Sequence, residues 1–182
     1  RKLTLAKLEN KINSDDQKLR RSLEDRRRLQ ALLTKVIENI EDIKLDHTAA
    51  DIRGLKGKLP WPASGKVVKR FGSQRVANKM RWEGILIKSN AGEAVTAVHH
   101  GRVVFSDYLR GHGLLIIVDH GAGYMSLYAH NQALYKELGE WVNRGDTIAS
   151  VGNSGGQQDS ALYFELRFNG KPTNPQNWLK RA

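Results

Sequence analysis

Six histidines carry most of the chemistry open to this chain of 182 residues: His47, His99, His100, His112, His120 and His130. A catalytic zinc needs three protein ligands converging on one point, with an open position for water. Local spacings that serve this are His-x-His along a strand, or two ligands three to four residues apart on a helix. Neither occurs. His99 and His100 are adjacent, so on a strand they point to opposite faces and cannot chelate together. His120 precedes a Gly-x-Gly turn and reads as a turn or core residue. His130 ends the run Leu127-Tyr128-Ala129-His130 and is a functional candidate, with no partner recognisable in the sequence. Cysteine is absent, which removes thiolate metal sites, cysteine nucleophiles and disulfides together. Ser154, in Gly152-Asn153-Ser154-Gly155-Gly156, lacks the Gly-x-Ser-x-Gly spacing of a nucleophile elbow and reads as a turn residue. No Gly-rich loop matches a phosphate cradle or a dinucleotide fingerprint.

The elements that would position these side chains fall into two halves with different periods. In the first, Leu5, Leu8, Ile12, Leu19, Leu29, Leu33, Val36, Ile40 and Ile43 fall on a series of alternating spacings of three and four whose gaps hold Asp15, Ser22 and Arg26, with Gly and Pro absent. That period, about 3.5 residues, is the pattern of a coiled coil or long amphipathic helix. A polar stretch from Asn13 to Arg28 interrupts the seam, where a bend or hairpin turn would cost least. We read residues 1–46 as a helical, coiled-coil arm and residues 47–64 as a linker. The linker holds a short helix over Thr48–Leu55, ended by Gly54 or Gly57, and then an extended Leu59-Pro60-Trp61-Pro62. From residue 65 to 182 the period becomes two. Strands are expected over Lys66–Phe71, Glu83–Lys88, Ala94–Val98, Arg102–Asp107, Leu114–Asp119, Met125–Ala129, Thr147–Val151 and Ala161–Phe168, separated by Gly-rich turns. This is the signature of an all-β sandwich or open, barrel-like domain. Leu114-Leu115-Ile116-Ile117-Val118 is apolar throughout, so its strand should be central and covered on both faces.

Composition sets the outer limits. Hydrophobic residues make up 40% and charged residues 27%, which is globular. No apolar run approaches the roughly 20 residues that a membrane-spanning helix requires. The chain opens on Arg1 rather than Met, as expected of a piece of a longer protein. Net charge is +11, which raises the question of an anionic partner. The excess is spread: residues 1–58 hold 15 Lys and Arg against 10 Asp and Glu, and residues 59–182 hold 15 against 9. The run Arg26-Arg27-Arg28 comes directly after Glu24 and Asp25 in a helical pattern, which reads as a solvated helix face rather than a nucleic-acid patch.

Several segments, in order, resemble the LytM domain, the fold of the M23 zinc peptidases that cleave peptidoglycan cross-bridges. They begin with Trp61-Pro62 with Gly65 and Phe71-Gly72, Arg81-Trp82-Glu83-Gly84-Ile85-Leu86-Ile87, and Gly111-His112-Gly113. They continue with Val118-Asp119-His120-Gly121, Leu127-Tyr128-Ala129-His130, Gly145 through Gly152, and Leu162-Tyr163-Phe164-Glu165-Leu166-Arg167. The resemblance implies a mainly β LytM/M23-like domain, a β-sheet with a central groove, behind the coiled-coil segment. Active members carry His-x-Gly-x-Asp, whose positions here hold Trp82 and Leu86 around Gly84. They also carry His-x-His-Phe-Glu, whose two histidine positions hold Ala161 and Tyr163. The remaining catalytic histidine is matched by His130. By this resemblance Trp82, Leu86 and Tyr163 stand where zinc ligands would be, and the domain is a degenerate, non-catalytic M23 homologue without metal or cofactor.

A vacated groove implies binding. Leu86 and Tyr163 would line it, with Arg167 four residues along the same strand face and His112 and Leu115 as further wall residues. A helical segment before such a domain resembles the inert LytM activators of periplasmic N-acetylmuramoyl-L-alanine amidases. The resemblance extends to the ending Asn174-Pro175-Gln176-Asn177-Trp178-Leu179. It implies a place at the division septum of the Gram-negative periplasm, where such amidases split peptidoglycan. It also implies a coiled coil recruited by the FtsEX complex, and an arm that covers the groove until that complex moves it. Two other readings stay open: a passive peptidoglycan-binding module, and a zinc endopeptidase with an unorthodox site around His130.

Overall fold

The computed structural model describes residues 2–40, 51–76 and 79–181. The first element is one helix, α1 (Lys2–Ile40), about 58 Å long at 1.5 Å per residue. It runs unbroken through the polar stretch where a bend was expected. The reason lies in what that stretch touches. Asp16 reaches Lys79 at 3.4 Å and Arg26 reaches Glu83 at 3.2 Å, so the polar side chains meet the charged rim of the β domain. Leu29, Leu33 and Val36 are buried against the sheet, while Leu3, Leu5, Leu8 and Ile12 project into solvent. Beyond residue 40 the expected arm lies outside the described residues, as do Thr48 to Ala50 of the expected linker helix. The rest of that linker helix is a single 3-10 turn over Ile52–Leu55, capped by the Asp51 side chain on the Arg53 N–H.

The β domain is built from twelve strands. The first six are β1 (Lys66–Lys69), β2 (Gln74–Val76), β3 (Met80–Arg81), β4 (Ile85–Lys88), β5 (Ala94–Thr96) and β6 (Gly101–Leu109). Then come β7 (Gly113–Gly121), β8 (Tyr124–Leu134), β9 (Trp141–Val142), β10 (Thr147–Val151), β11 (Ala161–Phe168) and β12 (Lys171–Thr173). All eight expected strands are present, Thr147–Val151 and Ala161–Phe168 with the expected ends and the other six with shifted ends, and β2, β3, β9 and β12 are additions too short to show a period of two. His99 and His100 lie in a bend before β6 and not on a strand, because Val98 already leaves the ladder.

Ten strands form one antiparallel sheet in the order β1-β4-β11-β8-β7-β6-β9, with β12 on β11 and β10 bridging β8 and β5; β2 and β3 pair separately. The fold is therefore one branched sheet rather than two stacked ones. Period two divides its faces. Ile85, Ile87, Ile116, Val118, Tyr128, Phe164 and Leu166 pack with Ile52, Leu59 and the C-terminal Trp178 and Leu179. The opposite row, Leu115, Ile117, Met125, Leu127, Ala129 and Tyr163, packs under Leu29, Leu33 and Val36. This is why Leu114–Val118 is apolar throughout: one face meets the core and the other meets α1.

Gly84 lets β4 and β11 come this close. A Cβ there would sit 2.4 Å from the Phe164 carbonyl oxygen and 2.8 Å from Glu165 Cγ. Gly84→Ala should cost about 1–3 kcal/mol of stability, as overpacking does, and lower the thermal unfolding midpoint. An unchanged midpoint would show that the two strands can part without loss.

Candidate functional site

The face under α1 is where the singled-out residues meet. Tyr163 on β11 is paired in register with Leu86 on β4 and with Ala129 on β8, so these three side chains form one row across the sheet. Trp82, just before β4, lies against Tyr163 with ring centroids 5.9 Å apart. The β2–β3 hairpin brings Arg75 over the other side of Trp82, its guanidinium carbon 4.4 Å from the ring centroid, a cation–π contact. His112, in the β6–β7 turn, and His130, after Ala129, are stacked 6.5 Å apart, and each is 6.3 Å from Tyr163. His130 has a positive φ of 64°, Nδ1 at 2.6 Å from the Ser154 carbonyl oxygen, and a backbone N–H donated to the His112 carbonyl. Ser154 is the turn residue expected: its hydroxyl accepts the Leu114 N–H and donates to the Asn131 carbonyl, which pins the loop. His120 is a core-edge residue held between the His100 carbonyl and the Ser126 hydroxyl. Ala161 begins β11 two residues before Tyr163, and His47 lies outside the described residues.

Of the expected groove wall, Leu115 and Tyr163 share a cluster with Leu29, Leu33 and Val36 of α1, Leu86 packs against it, and Leu115 and Arg167 are 0% and 1% exposed. Arg167 is held at the centre of a charged chain. Its Nε donates to Glu165 at 2.6 Å, its two terminal nitrogens reach Glu83 at 3.1 Å and the Gly170 carbonyl at 2.9 Å, and Gln30 of α1 accepts at 3.2 Å. Tyr163 donates its hydroxyl to the other Glu165 oxygen. Glu83 in turn takes Arg26 of α1. Buried ions survive only when paired and hydrogen-bonded, and this chain pairs them. Burial works against the Arg167 charge, but Glu165 and Glu83 outweigh it and hold its pKa above the usual range. Burial, with the Glu165 carboxylate beside it, pushes the Tyr163 phenol well up.

The helix also needs bare backbone to sit down. At Gly111 φ is +88°, which favours glycine, and a Cβ would fall 2.2 Å from Asp25 Cγ, so a larger residue would push the Asp25 side chain aside. Arg28 bridges Asp25 and the Arg110 carbonyl beside it, and Arg26 donates to the Arg81 carbonyl. Glu83, Glu165, Asp25, Arg26, Gln30 and Arg75 were not among the candidates read from the sequence. Glu165 was findable: it stands between Tyr163 and Arg167 on a strand of period two, a carboxylate in an apolar row.

His112 is buried, and burial, then His130 and the guanidinium groups of Arg75 and Arg167, push its pKa down from 6.5 to about 3. Among the described residues no group of three or more His, Cys, Asp or Glu side chains is placed to hold a metal ion.

Arg167→Ala would leave Glu165 charged and buried without its partner, so a loss of about 3–5 kcal/mol is expected in urea unfolding. A loss under about 1 kcal/mol would mean that the network carries little. For His112 the folded pKa lies below the unfolded one. Between pH 6.5 and about 3 the unfolded chain takes a proton that the folded ring refuses, so stability falls as pH falls. The slope is about 1.4 kcal/mol per pH unit for one group. His112→Phe should flatten the urea-derived unfolding free energy against pH by that amount across this window; identical slopes would exclude His112 as the source.

Comparisons with known proteins bear on the family and the fold. The chain is 44% identical over 126 residues to the murein hydrolase activator EnvC of Escherichia coli, a match covering 69% of this chain and 30% of that protein. It is 40% identical over 120 residues to the murein hydrolase activator NlpD of the same organism, covering 65% and 30%. The chain thus spans about 30% of the length of these relatives. Among solved structures, a zinc-containing peptidase from Vibrio cholerae shares the fold with a TM-score of 0.63 at 18% identity, covering 69% of this chain and 41% of that one. The SpoIIQ–SpoIIIAH pore-forming complex shares it with a TM-score of 0.60 at 22% identity, covering 69% and 92%. The sequence profile of Peptidase family M23 matches residues 80–175, more than half of the chain, and with its mainly β LytM fold the chain belongs to that family.

Proposed function

We propose that this chain is a non-catalytic activator of periplasmic N-acetylmuramoyl-L-alanine amidases, acting in septal peptidoglycan splitting during cell division. The observation that carries the reading is the seating of one amphipathic helix, α1, on the row of Trp82, Leu86, Leu115 and Tyr163. A groove that takes a helix by its leucines has the chemistry to take a partner's helix by the same means. Two relatives named murein hydrolase activators, EnvC and NlpD, support the role, and a relative named an outer membrane antigenic lipoprotein supports an extracytoplasmic location.

Zinc does not fit the donors present. The three positions assigned by family resemblance hold an indole, an aliphatic chain and a phenol. Neither Trp82 nor Leu86 offers a lone pair, and the Tyr163 hydroxyl is committed to Glu165 with its pKa raised. In this reading the amidase is the enzyme, and α1 is a competitor for the groove. Activation then requires the arm to leave, which FtsEX would promote by drawing on the coiled-coil part of the arm. Such a shift can be no larger than the difference in affinity of the partners for the two arm positions.

The test is dye release from labelled peptidoglycan by the cognate amidase. The chain with Leu29→Ser and Leu33→Ser, which loosens the arm, should activate at least several-fold more than the unaltered chain. Adding Leu86→Glu to that variant should abolish the gain, and the chain without amidase should release nothing. Release by the chain alone would overturn the non-catalytic reading, and activation that survives Leu86→Glu would overturn the groove. The net charge of +11 favours a second reading, passive binding to the anionic wall. Pelleting with sacculi that vanishes with added salt, with no effect on the amidase, would select it.

A further inference from the structure

Asp119 breaks the apolar row that α1 covers. On β7 the helix-facing side chains run Leu115, Ile117 and then Asp119, and the β8 residue paired with it is Met125. Asp119 is 4% exposed, and one carboxylate oxygen accepts the Gly121 N–H at 3.3 Å. The ladder flanks it with Arg102 on β6 and, beyond Met125, with Arg167 on β11. Both are committed elsewhere: Arg102 donates to the Gly139 carbonyl and Arg167 to Glu165 and Glu83. Among the described residues no cation stands within ion-pair distance of Asp119.

The carboxylate borders a cavity of about 230 Å³ instead. Ile37 and Ile40 of α1 form one wall, Met125 another, and the tight turns Gly121-Ala122-Gly123 and Asn169-Gly170 close the rest. Burial pushes the Asp119 carboxyl above the usual carboxylate range. A leucine would complete the apolar row; Asp119 instead gives this half-open cavity one acidic wall, with an oxygen that no side chain among the described residues pairs.

We propose that this cavity binds a primary ammonium on an unbranched aliphatic stem, as a lysine-type side chain of a peptide carries it. The ammonium would meet the free Asp119 oxygen, and the stem would lie between Ile37, Ile40 and Met125. The volume is below the roughly 300–1,000 Å³ of pockets for drug-sized ligands, and suits a side chain. A compact ammonium fits better than a guanidinium, whose planar fork wants both carboxylate oxygens, and one is already engaged. Since one wall belongs to α1 and the others to the sheet, the occupant also ties the arm to the domain and favours the docked state.

The test is an NMR titration of the full chain with n-butylammonium chloride at constant ionic strength. It tracks the amides of Gly121, Gly123 and Gly170 and the hydrogen exchange of α1. Saturable shifts at those amides, slower exchange from Leu33 to Ile40, and at least tenfold weaker binding to Asp119→Asn are expected. Ile40→Trp, which fills the cavity from the helix side and keeps the carboxylate, should also lose binding. Nα-acetyl-lysine methylamide should reproduce the effect; a response to butylammonium without it would overturn the peptide side chain as occupant and assign the site to free amines. Equal shifts with n-butanol would reveal a merely apolar hole, and equal shifts with sodium chloride a surface counter-ion effect. Either of these, or unchanged binding to Asp119→Asn with native melting, overturns the proposal.

Discussion

The pairing of Arg167 with Glu165 and Glu83 is the constraint on which the rest of this structure depends. A guanidinium with 1% exposure is tolerable only when its donors are matched, and here two carboxylates, a backbone carbonyl and an amide oxygen match them. One of those carboxylates, Glu83, also binds Arg26, and the amide oxygen belongs to Gln30. This network is therefore completed from outside the β domain, by the Arg26 charge and the Gln30 amide oxygen of α1. Glu165 also takes the Tyr163 hydroxyl, which holds the aromatic ring in the centre of the sheet face.

Around that polar centre the contact is apolar and dense. Leu29, Leu33 and Val36 close over Leu115, Ile117, Leu127 and Tyr163, and the bare backbone of Gly111 lets Asp25 approach. Arg26 and Gln30 supply direction and register, whereas the leucines supply most of the burial. Such a division suits a reversible contact: burial is non-directional, and the partly exposed Arg26–Glu83 pair contributes little in water. The first turns of α1 point away from the domain, with Leu3, Leu5, Leu8 and Ile12 exposed along the continuing seam. One helix thus offers two different surfaces, one that holds the groove and one that remains available.

The frame of this face is set by Phe164 and Glu165 on β11 and by Gly84, which brings β4 against them, and the side chains on the α1 side are an indole, an aliphatic chain and a phenol. His130 has a positive φ and a carbonyl partner and is stacked on a buried His112. This histidine pair is a packing element of the face, and burial pushes both rings below the usual histidine range.

Much of this was determined by the sequence alone. Period two located every long strand because alternation is a local property of a half-buried sheet, and the apolar run Leu114–Val118 announced a strand covered on both sides. The helix was equally legible from its spacing of three and four. The family resemblance singled out Trp82, Leu86 and Tyr163 around Gly84 and Phe164-Glu165, and the fold brings those three side chains together on one face. Only the tertiary structure decided where the second half of the helix goes. Docking depends on Asp25 meeting Gly111 and on Arg26 and Gln30 meeting residues 57 and 137 positions away, and no local pattern encodes such distances. The polar stretch that looked like a break is the part that faces a charged rim, and the carboxylate of Asp119 acquires its meaning from the cavity beside it. Pairing across the fold is a property of three-dimensional neighbours, which is why it had to be seen.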